Sequence, residues 1–247
     1  MGRKFATYLL CAGAVTTPLG MAAAQQPNYF DGAYVGAAVG WDRIATNGRY
    51  TLNENGADVF SFKFDRAGNG VQGQFFGGYG RTFGSFYASG EIGGGLSSAT
   101  ANIHNGFFAA GDFYDLTIKI RQRWSLTPSV RAGYLLQPDL LAFVRFGWSF
   151  ARARISYTSA EISPLGNQLF SGSTSKWLNG PRVGAGLEYA LMPNLRLRAD
   201  WSYTWYNRIS VVGTIAPPAP ADVDINSSSS RPRQSLLLFG LIYSFGL

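Results

Sequence analysis

From Leu237 to the last residue the chain sets an apolar side chain at every second position: Leu237, Phe239, Leu241, Tyr243, Phe245 and Leu247. The residues between them include Gly240, Ser244 and Gly246, and Gln234 precedes the row. A period of two belongs to a β-strand with one apolar face. Nothing follows this row to cover it, so the apolar surface opposite is expected to come from outside the protein, as a lipid bilayer. Beyond residue 24 no uninterrupted apolar run approaches the roughly 18 residues of a spanning helix. Any embedding must therefore be by strands.

The composition agrees with β-structure in an apolar setting. Hydrophobic residues make up 46% of the 247, aromatic ones 15%, and there are 31 glycines. Only 14% are charged, against about a quarter in soluble domains. Arg3 and Lys4, the apolar stretch Phe5 to Val15 and the A-x-A site Ala22-Ala23-Ala24 read as a secretory signal peptide, residues 1–24. Cleavage before Gln25 leaves residues 25–247 as one domain. It removes Cys11, the single cysteine, so no disulfide framework is expected. It also takes two of the 21 basic residues, leaving 19 against 14 acidic ones and a net charge of +5. The arginines are spread along the chain and not gathered on one face, which excludes a nucleic-acid partner.

Seven further segments alternate like the last: Ala33–Trp41, Val71–Tyr79, Phe86–Leu96, Tyr114–Leu135, Ala142–Phe150, Trp177–Tyr189 and Leu195–Trp205. Pro128, which lacks a ladder donor, predicts a bulge or slight break in the fourth. The connections alternate in length. Stretches 44–70, 97–112, 153–176 and 207–233 are long and rich in Asn, Gly, Ser and Asp, the first with room for strand extensions around Val59–Phe64, and the last holds Ala216-Pro217-Pro218-Ala219-Pro220. Stretches 81–85, 137–139 and 192–194 are short turns. In an up-and-down barrel consecutive strands are antiparallel, so all long connections leave at one end and all short ones at the other. The fold expected is all-β: an eight-stranded antiparallel up-and-down transmembrane β-barrel with four long external loops and three short periplasmic turns.

A soluble lipocalin-like barrel would also give eight alternating strands, with its apolar face lining a ligand cavity. The position of the aromatics argues against it. Trp41, Tyr79, Tyr134, Trp177, Tyr189, Trp201, Tyr203, Trp205 and Tyr243 stand on the apolar face toward strand ends, where membrane interfaces favour them. The opposite face carries Glu91, Lys119, Arg121, Arg131, Arg145, Arg182, Glu188, Arg196, Arg198 and Asp200, interleaved with glycine. Inside a narrow tube these would form a lumen charge network, paired or hydrated, and not an open pore. Arg43, Arg49, Arg152, Arg154, Lys176, Arg208, Arg231 and Arg233 fall near external strand ends, mixed with Asp42, Asp58, Asp112, Glu161 and Asp222. Basic groups there suit lipopolysaccharide phosphates; a balanced solvated rim is the alternative.

FDGAYVGAAVGWDR after the leader, QGQFFGGYG, GEIGGG, PRVGAGLEYALMPNLRLRADWSYTWY and the aromatic last strand together resemble the small eight-stranded outer-membrane barrels of Gram-negative bacteria. The likeness is to the surface-protein and opacity-porin families of alphaproteobacteria, similar in architecture to the membrane domain of outer-membrane protein A. It covers the whole mature chain. The resemblance implies residence in the cell outer membrane after export and insertion by the outer-membrane assembly machinery. It also implies an assembly signal in Phe239, Tyr243, Phe245 and Leu247. That family pattern usually closes on an aromatic residue, whereas Leu247 is last here.

Other chemistry is sparse. His104 is the only histidine and sits in a polar stretch; without a second, or a mature cysteine, a structural zinc site is not expected. Gly68-Asn69-Gly70-Val71-Gln72-Gly73 matches a dinucleotide fingerprint by letter, but an alternating strand follows it in place of a helix. Asp222-Val223-Asp224 with Asn226 lacks the remaining ligands of a calcium loop. Glu91 and Glu188 could suggest a hydrolytic carboxylate pair, but among arginines on barrel strands they read as ion-pair partners. The expected function is a non-enzymatic surface barrel with no catalytic, metal or cofactor site. Its partners would be outer-membrane lipid, lipopolysaccharide, and host or small-molecule ligands at the external loops. A narrow porin for small solutes is the alternative.

Overall fold

The computed structural model describes residues 29–54, 57–109, 112–162, 168–211, 223–224 and 228–245. The leader 1–24 with Cys11, the segment 216–220, Asp222 and Leu247 lie outside them. The described chain forms strands and no helices: β1 (Gly32–Glu54), β2 (Ala57–Phe83), β3 (Phe86–Ser97), β4 (Thr100–Ala109), β5 (Asp112–Gln137), β6 (Leu140–Ile162), β7 (Gln168–Met192), β8 (Leu195–Trp205), β9 (Ile209–Val211), β10 (Val223–Asp224) and β11 (Ser228–Phe245).

Eight of these form an antiparallel ring in the order β1-β2-β3-β5-β6-β7-β8-β11. It closes where β1 pairs β11, from Ala33 opposite Phe245 to Arg49 opposite Ser229. Closure is what lipid demands, because an open edge would leave backbone donors and acceptors without partners. The three tight turns fall where the sequence places them, with Phe83 facing Phe86, Gln137 facing Leu140 and Met192 facing Leu195. Gly84 takes a positive φ of 63° in the first of them.

The other end differs from the expected loops. The described parts of stretches 44–70 and 153–176 are continuations of β1 and β2 and of β6 and β7. Stretch 97–112 becomes β4, paired along β5 from Thr100 opposite Arg121 to Ala109 opposite Asp112. Strand β5 has 26 residues, whereas about 9–11 tilted residues cross a bilayer. At about 3.3 Å per residue, more than half of it projects beyond the membrane. Asn, Ser and Gly suggested loops because they are poor strand formers, but pairing along two neighbours overrides that preference. Gly68 permits this projection to close, since a Cβ there would run into the backbone of Thr100 and Ala101 on β4.

Strand β6 reads out the layers of the molecule in order. Its inward residues run from apolar Leu141 and Phe143, through Arg145, Gly147 and Ser149, to Ala151, Ala153 and Ile155. Its outward residues run from Val144, Phe146, Trp148 and Phe150 to Arg152 and Arg154. The two faces exchange character near Phe150, where the lipid-facing belt ends and a water-facing projection begins. On β5 the exchange occurs at a bulge between Gln122 and Trp124. This corrects the placement of Lys119 and Arg121, which are exposed on the outside while Ile120 points inward. At Pro128 the ladder to β6 is interrupted but no residue is inserted.

Candidate functional site

The barrel interior holds the densest chemistry. Glu91, Arg131, Arg145, Arg182, Glu188, Arg196, Arg198 and Asp200 all point inward and none is more than 6% exposed. Period-two alternation delivers them: β7 and β8 set Glu188 directly opposite Arg198 and Ala190 opposite Arg196, and β5 and β6 set Arg131 opposite Arg145. Small residues make the space. A Cβ at Gly78 would lie 2.7 Å from Cζ of Tyr34, an inward tyrosine of β1 that donates to Glu91 at 3.1 Å.

Seven of these charges form one cluster. Glu188 accepts from Arg131, from Arg196 at 3.0 Å and from Nε of Arg198 at 2.8 Å. Glu91 pairs with Arg145 and with Arg198, each at 2.8 Å, and Arg131 lies 3.6 Å away. Asp200 pairs with Arg145 at 2.8 Å. Aromatic rings pack against the same guanidinium groups: Arg198 sits 4.1 Å from the Phe76 ring centroid, Arg131 sits 4.8 Å from that of Phe143, and Arg196 sits 5.3 Å from that of Phe30. Below the charges, toward the tight turns, Phe30, Tyr87, Leu141 and Ala190 form an apolar plug.

Arg182 does not join this cluster. It donates to Thr204 at 2.8 Å, to Thr127 at 3.3 Å and to Gln234 at 3.0 Å. Gln234 in turn donates to Asp42 at 2.9 Å and to Gln72 at 3.1 Å, and accepts from Tyr206 at 2.8 Å. Asp42 is therefore fully buried in the lumen and is not part of the outer rim where its position beside Arg43 suggested it. Gln234 neutrally bridges a buried cation and a buried anion. Tyr34, Asp42, Gln72, Tyr206 and Gln234 are lumen residues that charge alone does not reveal; parity marks all five, since each is two or a multiple of two from another inward residue.

Outside, Trp41, Tyr79, Tyr134, Trp177, Tyr189, Trp201, Trp205 and Tyr243 are exposed on the apolar belt, and Tyr203 is half-buried against Trp205 at 4.8 Å between centroids. Trp124 joins them, edge-on to Trp177 at 4.9 Å. Phe239, Tyr243 and Phe245 stand exposed in the same way; Leu247 is outside the described residues. Of the expected basic rim, Arg43, Arg152, Arg154, Lys176, Arg208, Arg231 and Arg233 are exposed. Lys176 is registered with inward Ala153 and so stands on the inner side of the projection. The side chains of Arg49, Asp58, Asp112 and Glu161 are outside the described set. His104 lies 3.2 Å from Asp115 and 3.1 Å from Thr117 on the surface. Among the described residues no three His, Cys, Asp or Glu side chains gather as for a metal ion.

The ring of strands is similar to several solved outer-membrane structures. The attachment invasion locus protein of Yersinia pestis is 15% identical, covering 87% of this chain and 99% of its own, with a TM-score of 0.37. OprG of Pseudomonas aeruginosa is 13% identical, covering 90% and 99%, with a TM-score of 0.44. The Escherichia coli outer membrane protease OmpT is 13% identical, covering 87% and 97%, with a TM-score of 0.36. A comparison with curated protein sequences gives no match. The family model described as outer membrane protein beta-barrel domain matches residues 9–245, and the chain belongs to that family.

Proposed function

We propose that the chain, exported with loss of residues 1–24, is a non-enzymatic surface barrel that anchors in the outer membrane and holds strand extensions out for contact. Those contacts would be with lipopolysaccharide, host surfaces or small ligands. The observation that carries this reading is the filled lumen. Three buried carboxylates and four buried arginines are paired across the tube, and an apolar plug lies beneath them. Side chains fill an eight-stranded barrel of this kind, and moving the pairs apart to pass a solute would strip buried charges of their partners. The exposed row Phe239, Tyr243 and Phe245, with Leu247, fits a signal read by the assembly machinery.

Planar-bilayer recording tests the reading. The folded protein is expected to give no reproducible conductance. Steady channels abolished by Arg145→Ala or Arg182→Ala would establish the narrow-porin alternative instead.

A further inference from the structure

Two arginine pairs face each other directly across the β5–β6 ladder: Arg131 with Arg145, and Arg121 with Arg154. Opposed residues of an antiparallel pair stand about 4.5–5.5 Å apart at Cα, and like charges there repel. Inside the lumen the first pair is compensated by Glu91, Glu188 and Asp200. The second pair is on the outer surface, and among the described residues no carboxylate forms a salt bridge with it. Lys119, Arg123 and Arg152 are exposed beside it, so five cations gather within Lys119–Arg123 and Arg152–Arg154. Among the described residues none of the five makes a salt bridge; Arg154 only donates to Ser173 on β7 at 3.1 Å. The paired stretches of β4, β6 and β7, residues 100–103, 152–156 and 171–177, contain no acidic residue.

The position of this patch names its counter-ion. Trp124 lies opposite Arg152, and Arg152 lies opposite Trp177. The edge-on Trp124–Trp177 pair and Phe150 end the apolar belt. Aromatic side chains of this kind sit at headgroup depth. The cations immediately beyond them therefore meet the phosphate layer of the outer leaflet. We infer that Lys119, Arg121, Arg123, Arg152 and Arg154 form a binding site for the phosphorylated headgroup of an outer-leaflet glycolipid. Guanidinium forks suit bidentate phosphate contact, and the lipid's acyl chains would lie along Trp124 and Phe150.

This deepens the lipid contact of the proposed function by assigning it a site, and it rests on that reading. The test uses the exported chain folded in detergent, then placed in phosphatidylcholine vesicles with or without bisphosphorylated lipid A. Retained lipid is counted by native mass spectrometry. R121Q/R154Q is expected to lower lipid A retention about tenfold, the scale of one lost charge-assisted bond. The control K63Q/R66Q, which removes equal charge from β2, should not change it. Dephosphorylated lipid A should be retained poorly by the unaltered chain, and millimolar inorganic phosphate should not displace lipid A. Thermal midpoints supply a sign: the double variant should unfold higher than the parent in phosphatidylcholine alone, because repulsion is relieved, and lower than it with lipid A. The single variant R154Q should show the same signs at smaller size. Equal retention by parent and variant, an equal loss in the control, or displacement by free phosphate would overturn the inference. A conducting barrel that still holds lipid A would sink the non-porin reading alone, and a silent one that does not hold it would sink this site alone.

Discussion

Replacing Glu188 by glutamine changes one atom pair at the centre of the cluster. Glu188 is fully buried and receives Arg131, Arg196 and Arg198. The substitution keeps the volume and one acceptor but removes the charge. Four arginines would then face two carboxylates, Glu91 and Asp200, where they now face three. Removing one partner of a buried pair costs about 3–5 kcal/mol, and no solvent screening reduces that here. We expect Glu188→Gln to destabilise the folded barrel by about 4 kcal/mol, read as a lower urea midpoint for the protein in lipid vesicles. Arg196 has Glu188 as its one ion-pair partner among the described residues. The double variant Glu188→Gln with Arg196→Gln restores the balance and should recover about 2 kcal/mol relative to the sum of the singles. A loss below about 1 kcal/mol for Glu188→Gln, the size of a solvated surface pair, would refute a dry interior held together by ion pairing.

Two further outcomes follow from the outer face. Phe245→Asp puts a charge on the exposed row of the closing strand and should sharply reduce protein in outer-membrane fractions, whereas Thr158→Asp, on the exposed projection of β6, should leave it near normal; equal levels would contradict the assignment. All six tryptophans are exposed on the barrel exterior, so lipid-tethered quenchers in reconstituted vesicles should quench most of the emission, and quenching confined to a soluble quencher would reverse the inside-outside assignment.

The membrane part of the barrel was legible because lipid permits little variation. Lipid-facing strands must alternate, and tight turns must join them, so Phe86, Ile92 and Leu96 against Ser89 and Glu91 are enough to orient β3. The projection was less legible for the opposite reason. Water on the outside removes the demand for an apolar row, so stretches such as Ser171-Gly172-Ser173-Thr174-Ser175 carry no periodic signal, yet they pair with β6. In β5 parity itself misled. Ile120 and Leu126 share even numbers, but the bulge between Gln122 and Trp124 turns the first inward and the second outward. A sequence shows which residues alternate; an inserted residue decides which side they alternate on. A carboxylate beside Arg43 reads as a rim pair, but the partners of Asp42 are Ser97 and Gln234, 55 and 192 residues away.

The cluster draws its members from β3, β5, β6, β7 and β8, with Tyr34 from β1. No pair of neighbouring strands contains all of its ion pairs. A lone β5–β6 hairpin would carry Arg131 against Arg145 with no acid between them, and a hairpin of β7 and β8, though it matches Arg196 and Arg198 with Glu188 and Asp200 in number, would part Asp200 from Arg145 on β6. A β5–β6 hairpin inserted alone would expose uncompensated charge to hydrocarbon. Insertion and closure as a single cooperative event would keep these charges paired throughout.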